Sequence, residues 1–317
     1  MIEQPKFKLR FLAPKYWPTW LGVGVLYAIS WLPYSWQLGL GRGLGRLIYK
    51  FVPKRTAVAR RNLELCFPEQ SSTEREALVK KNLENTGIAM FETGMAWWWP
   101  NWRMQRKLHI HGEEHLRAAQ REGHGILLLL FHFLSLEVHA RLMGFVQPSV
   151  GLYRPHNNAV MEYLQTRGRA RSNKYMIQRT DVRGMLRALD AGEIAGYLPD
   201  QDYGRRRTVF VPFFKVEKTS STTGTLLFAA QARCKVVPTT CFRREDGSGY
   251  DISFYPAFEQ FPTDDVEASV TRVNKMVEFA VSQQPDQYLW VHRRFKTRPA
   301  ESDPDLYHTD MLRQRDA

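Results

Sequence analysis

Cysteine is scarce in this chain: Cys66, Cys234 and Cys241 are scattered over 317 residues. An odd and widely spaced set supports neither a disulfide framework nor a zinc-binding pattern, and fits a reducing compartment. A glycine-rich phosphate loop is missing as well, so no cofactor is expected. Acidic residues are in deficit, 32 against 45 basic ones, for a formal net charge of +13. That balance favours an anionic partner: nucleic acid, a membrane surface or a phosphorylated substrate. No helix-turn-helix, RNA-binding sheet motif or zinc finger is evident, which turns the reading away from nucleic acid. Internal repeats, low-complexity tracts and charged interdomain linkers are also lacking.

One stretch lacks charge altogether, residues 16–41, YWPTWLGVGVLYAISWLPYSWQLGLG. A bilayer core takes about 20 apolar residues as helix. Residues 17–36 have that length, with tryptophans near both ends, and no small-residue cleavage site follows, so the segment reads as a retained membrane anchor. Pro33 leaves a second reading open, a helix lying in the membrane interface. Lys6, Lys8, Arg10 and Lys15 precede the segment, and a longer basic run from Arg42 to Arg61 follows it. The positive-inside rule then puts the bulk of the chain on the cytosolic side of the membrane. The expected organisation is an N-terminal anchor, residues 1–41, and a cytosolic-face domain, residues 42–317. From about Ala300 the composition turns polar, and disorder is expected there.

What is present between these ends alternates. SSTEREALVKKNLENTGIAM opens on a serine cap signal with early glutamates and carries helical spacing. From Gly123 on, the short apolar runs GILLLLF, SVGLY, KYMIQ, IAGYL and CKVVPTTCF alternate with the helical stretches NAVMEYLQTRGRARS, DVRGMLRALDAG and STTGTLLFAAQAR. ISFYPAF reads as a late strand and DDVEASVTRVNKMVEFAVSQ as a late helix. The alternation predicts an α/β fold, a sheet flanked by helices.

The strongest chemical signal is GHGILLLLFHFLSLE, in which a buried strand ends at His132 and Glu137 follows just inside the next helix. Sites in α/β sheets form at the carboxyl ends of strands. On one continuous helix, residues five apart point about 140° from each other, so His132 and Glu137 meet only if His132 lies on the strand-to-helix turn. Glu137 would then accept from one imidazole nitrogen and leave the other as a general base. Ser135 is the expected N-cap. Read blandly, Glu137 caps a helix and His132 is satisfied by backbone. A zinc site on His132 and His139 lacks the spacing and a third ligand, so no metal is expected.

HFLSLE resembles the His-x4-acid signature of glycerolipid and lipid A acyltransferases. RNLELCFPE, ETGMAWWWP, YRPHNN, GRARSNK, PDQDYG and HRRFKTRP resemble the Gram-negative late acyltransferases of lipid A, in order and over nearly the whole chain. The resemblance implies a glycerolipid-acyltransferase-like mixed sheet. It also implies transfer of a fatty acyl chain from an acyl carrier protein thioester to a hydroxyl on a 3-hydroxyacyl chain of Kdo-lipid IVA. The partners it implies are acyl carrier protein, the Kdo-bearing lipid A precursor and inner-membrane lipids. Two departures from the wider glycerolipid pattern are visible: the acid is Glu137 instead of aspartate, and the Glu-Gly-Thr block is missing.

On that resemblance His132 takes the hydroxyl proton and Glu137 orients the ring. Arg169, in GRARSNK, supplies charge to the oxyanion or holds the acceptor, and Asp200, in PDQDYG, is a further site residue that pairs with Arg169. Without it, Arg167, Arg169 and Arg171 read as a solvated basic face and Asp200 as a turn residue. Asp202 is a weaker candidate, Arg205, Arg206 and Arg207 could meet phosphates, and His156 and His292 carry no signal. The donor expected first is lauroyl, with palmitoleoyl transfer and a glycerolipid acyltransferase as alternatives in the enzyme class. A membrane-anchored basic binding protein is the alternative outside it. Chain length would be set by the depth of an apolar pocket that the sequence does not locate.

Overall fold

The computed structural model describes residues 6–307. Nine strands occur in chain order: β1 Leu108–His111, β2 Ile126–Leu129, β3 Ser149–Tyr153, β4 Asn173–Gln178, β5 Ile194–Tyr197, β6 Thr208–Phe213, β7 Val216–Thr222, β8 Lys235–Arg243 and β9 Tyr250–Phe254. The helices are α1 Trp17–Ser30, α2 Tyr34–Phe51, α3 Pro53–Cys66, α4 Ser72–Trp98, α5 Asn101–Gln105, α6 Glu113–Arg121, α7 Leu136–Val146, α8 Ala159–Arg169, α9 Val182–Asp190, α10 Gly224–Ala232 and α11 Val266–Gln283.

Seven strands form one sheet in the order β1-β9-β8-β2-β5-β3-β4. All neighbours are parallel except β8 and β9. The fold is therefore a mixed α/β sheet flanked by helices, and every apolar run quoted above falls on a strand. β2 is buried at all four positions, because a parallel strand inside such a sheet is covered on both faces. Its residues divide between two cores. Leu127 and Leu129 join side chains of α3, α9, α10 and α11, while Ile126 and Leu128 join those of α6, α7 and the end of α4. β6 and β7 form a separate antiparallel hairpin.

α4 begins as its sequence predicts. Ser71 and Glu74 form a reciprocal capping box, satisfying donors that a helix start leaves free. The helix then runs for 27 residues and carries α2 along its side. A Cβ on Gly87 would stand 2.2 Å from the Gly41 carbonyl oxygen, and one on Gly45 would stand 2.2 Å from that of Leu83. Only bare backbone allows two helices this close.

The N-terminal segment differs from the expected anchor. Among the described residues no helix is long and apolar enough to cross a membrane. α1 has 14 residues, and Pro33, which cannot continue a helix, stands at the N-cap of α2. The boundary drawn at residue 41 falls inside α2, in its contact with α4. Both helices nevertheless expose apolar side chains, Leu21 at 71% and Trp36 at 64% among them. The polar tail is also ordered further than its composition suggests. Tyr307 is buried and its hydroxyl accepts from the Phe295 amide at 3.1 Å. The rest of that tail lies outside the described residues.

Candidate active site

β2 ends at Leu129, and the chain then turns through residues 130–135 into α7. His132 lies on that turn, as the spacing argument requires. The turn is held from the far end of the chain. The Leu289 amide donates to the His132 carbonyl at 3.0 Å, the Leu134 amide donates to the Gln287 carbonyl at 2.8 Å, and Phe133 bridges Tyr288. α4 holds that partner segment in turn, since Asn82 donates to the carbonyls of Asp286 at 2.9 Å and Tyr288 at 2.7 Å. α3 does the same further along, where Asn62 donates to the Trp290 and His292 carbonyls at 2.6 and 2.7 Å.

His132 does not meet Glu137. Its Nδ1 lies 2.7 Å from Oδ1 of Asp200, and its backbone amide donates to Oδ2 at 2.7 Å. The Tyr288 hydroxyl donates to the same Oδ2 at 3.0 Å. Asp200 is 1% exposed, at the end of β5 beside β2. Burial by itself would raise its pKa. The His132 charge and these hydrogen bonds outweigh burial and hold the carboxyl below its ordinary value. An ionised Asp200 fixes Nδ1 as the protonated nitrogen, leaving Nε2 with a free lone pair. The His132 side chain is 19% exposed, so a substrate can reach it.

Glu137 sits in the first turn of α7, and its partner is Arg169 at the last turn of α8. Arg169 Nε donates to Oε1 at 3.0 Å, and Nη2 donates to the same oxygen. Trp97 Nε1 donates to Oε2 at 3.1 Å. The expected pairs His132–Glu137 and Asp200–Arg169 are thus corrected to His132–Asp200 and Glu137–Arg169. A second correction concerns Ser135. It occupies the N-cap position but makes no side-chain cap, because its hydroxyl donates to the Cys241 carbonyl at 2.9 Å.

The remaining candidates separate. Arg171 donates to the carbonyls of Trp97 and Trp99 at the end of α4, and Arg167 lies over the Tyr163 ring. Asp202 accepts from the Thr297 amide at 2.7 Å and the Gly204 amide at 2.8 Å, which makes it a strap between two loops. Arg205 donates to the Pro299 carbonyl. His139 is buried against Thr239, 3.3 Å from its hydroxyl.

Three further positions beside the site escape a reading of spacing. Tyr288 and Trp97 complete the shells of Asp200 and Glu137. His292 accepts from the Asp202 amide at 3.3 Å, and its pKa is lowered by burial and by the His132 and Arg294 charges. Their signal in the sequence is membership of the motifs ETGMAWWWP and HRRFKTRP or adjacency to them, not a chemical pattern of their own.

The family described as bacterial lipid A biosynthesis acyltransferase matches residues 4–297. The chain is 47% identical over 307 residues to the lipid A biosynthesis lauroyltransferase of Escherichia coli (strain K12), covering 97% of this chain and 100% of that one. It is 44% identical over the same shares to the palmitoleoyltransferase of that organism. With the myristoyltransferase of that organism it shares 30% identity, over 96% of each chain. A solved 1-acyl-sn-glycerophosphate acyltransferase from Thermotoga maritima aligns at 12% identity over 78% of this chain and 95% of its own, with a TM-score of 0.37, a distance at which no residue or role carries over.

Proposed function

We propose that this chain, which belongs to the bacterial lipid A biosynthesis acyltransferases, moves a fatty acyl chain from an acyl carrier protein thioester to the hydroxyl of a 3-hydroxyacyl chain on Kdo-lipid IVA. Lauroyl is the donor chain put first, because a lauroyltransferase is 47% identical and a palmitoleoyltransferase 44%. The fold is read as a variant of the glycerolipid-acyltransferase arrangement, on the strength of HFLSLE.

The observation that carries the mechanism is the pair of hydrogen bonds that Asp200 accepts from His132, one from the ring and one from the backbone. Nε2 of His132 takes the acceptor hydroxyl proton as the oxygen attacks the thioester carbonyl carbon. Asp200 holds the ring in place and stabilises the imidazolium that forms. The tetrahedral intermediate then collapses, the carbon–sulfur bond breaks, and the imidazolium returns its proton to the leaving thiolate. Glu137 and Arg169 act as a unit beside this centre. Arg169 keeps the Glu137 carboxylate neutralised and offers its remaining N–H groups to the donor carbonyl or the acceptor.

The exposed apolar stripes of α1 and α2 support attachment to the inner membrane from its cytoplasmic side, in the interface and not across it. Arg42, Arg46 and Lys50 on α2 add attraction for anionic headgroups. The direct test is transfer from lauroyl carrier protein to purified Kdo-lipid IVA, followed by mass spectrometry. Product is expected with the wild type and is reduced to trace in His132→Ala. A folded wild type that forms no product from any carrier-protein thioester overturns the reading.

A further inference from the structure

Two glycines lie on one face of the sheet beside the candidate site. Leu128 of β2 is level with Gly196 of β5. Val150 of β3 is level with Ala195, so the next residues, Gly151 and Gly196, face the same side. Gly151 is level with Met176 of β4. Strand alternation therefore sets Leu128, Gly196, Gly151 and Met176 in one row; Gly196 has no side chain to fill it, whereas at Gly151 the Asn173 side chain stands 2.9 Å from where a Cβ would be. α7 lies over this face and does not compensate, because between Leu136 and Met143 it presents Ala140. The outcome is an apolar slot of about 100 Å³ between sheet and helix, open to solvent on one side.

Interiors are close-packed, and an unfilled apolar slot forfeits the contacts its walls could make. This one is also aimed. Leu130 and Leu198 line it together with the Glu137–Arg169 pair. Two residues beyond Leu130 and Leu198 in the chain come His132 and Asp200, which are bonded to each other.

We propose that the slot under α7 receives part of the acyl chain of the thioester donor, with the missing side chain of Gly196 making room for it and Met143 limiting how long a chain fits. The inference rests on the transfer reaction proposed above and adds the place of the donor chain. The donor fits better than the acceptor as occupant. It brings one chain on a water-soluble carrier and needs an apolar shelter, whereas the acceptor is a lipid with a membrane to lie in. The Glu137–Arg169 pair then stands where an apolar tail gives way to a polar reacting group, a natural division between the two.

The test is a competition among octanoyl, decanoyl, lauroyl, myristoyl and palmitoyl carrier-protein thioesters at equal concentration, with Kdo-lipid IVA as acceptor and products resolved by mass. A Cβ on Gly196 would meet the end of the flexible Leu130 side chain at 2.6 Å, so Gly196→Val fills the slot without striking backbone. It should shift the product maximum to shorter chains. A methylene that no longer fits an apolar pocket lowers kcat/KM by about 10- to 200-fold. Met143→Ala should shift the maximum to longer chains, and it decides the matter if Gly196→Val does not fold. An unchanged product profile in a folded Met143→Ala overturns the proposal. So does a profile that stays fixed while the KM for the lipid rises, which would assign the slot to the acceptor. If the wild type uses none of the thioesters, the donor class itself is wrong and this inference falls with it. Uniform use of all lengths by an active wild type overturns the slot alone.

Discussion

Arg169 rests on Glu137 with Nε 3.0 Å from Oε1, and so occupies the carboxylate that the spacing of HFLSLE reserves for His132. Asp200, 68 residues further along the chain, takes the histidine instead. Both acids are charged partners of something. They differ in what they hold: one an imidazole with an exposed edge, the other a guanidinium.

Asp200→Asn should therefore cost more than Glu137→Gln. An amide cannot accept from both the His132 ring and the Tyr288 hydroxyl while also receiving the His132 amide, and the imidazole loses its fixed tautomer. Turnover should fall by about 10²- to 10⁴-fold, comparable with His132→Ala. Steady-state rates at saturating substrates check this, and a Glu137→Gln deficit larger than that of Asp200→Asn would restore the His132–Glu137 dyad.

Glu137 and Arg169 should behave as one unit. Their side chains are only 21% and 25% exposed, so either single alanine leaves a part-buried charge without its partner. The Glu137→Ala/Arg169→Ala double variant should be less impaired than the sum of the singles, with a coupling of about 0.5–3 kcal/mol. Arg169→Lys should recover part of the loss, because it keeps the charge without the planar fork. Additive effects in a double-mutant cycle on kcat/KM would deny the pairing any role in the reaction.

The α2–α4 contact gives opposite signs for the same substitution. Gly87→Ala forces a Cβ against the backbone of α2 and should destabilise the fold by about 1–3 kcal/mol. Gly43→Ala, on the same α2, meets nothing within 4 Å and should stabilise it by about 0.5–1 kcal/mol. Paired thermal melts measure both, and equal shifts would mean that the helices are not in contact.

Acid sensitivity should begin at His139. Burial pushes its pKa down to about 3, whereas in the unfolded chain it binds a proton below about pH 6.5. Between those values the unfolded state carries the extra proton, so stability falls as pH drops, by up to about 1.4 kcal/mol per pH unit. His292, also held down by burial, adds to the same limb. Asp200 has a depressed pKa, and its contribution is lost only in stronger acid, as pH falls through its folded value. His139→Gln should flatten the limb without removing it, as read from urea unfolding at a series of pH values. An unaltered slope would place the early proton uptake elsewhere.

Replacing Trp17, Leu21 and Val25 together by serine removes an exposed stripe at helical spacing. Co-sedimentation with anionic lipid vesicles should drop while transfer to detergent-dispersed acceptor persists. Undiminished binding in high salt would move the attachment to another surface.

What the sequence makes legible follows from local rules. The buried runs that became β2, β3, β4, β5, β8 and β9 are long, apolar or alternating, and bounded by helical patterns. β1 is four residues with two histidines, LHIH, and β7, VEKTSST, is mostly polar. Neither offers a run to notice. β6 contains Pro212, which demotes a strand reading. The uncharged N-terminal stretch was long enough to span only if Pro33 did not break it. At the site, His132 on its turn could be deduced, because five-residue spacing on a helix would separate the pair. The partner exchange could not, since hydrogen bonding between residues 132 and 200 depends on β5 lying beside β2, and no local spacing records strand order.

The grip of residues 287–289 on the His132 turn has a bearing on how the protein is made. Every strand of the sheet, along with His132 and Asp200, leaves the ribosome before Tyr288 does. Until then the Asp200 carboxylate lacks one donor, and the turn lacks the amide that ties down the His132 carbonyl. A nascent chain stalled short of that point would carry all of its sheet with both His132 and Asp200, yet would lack the Tyr288 hydroxyl on Asp200 and the Leu289 amide on the His132 carbonyl.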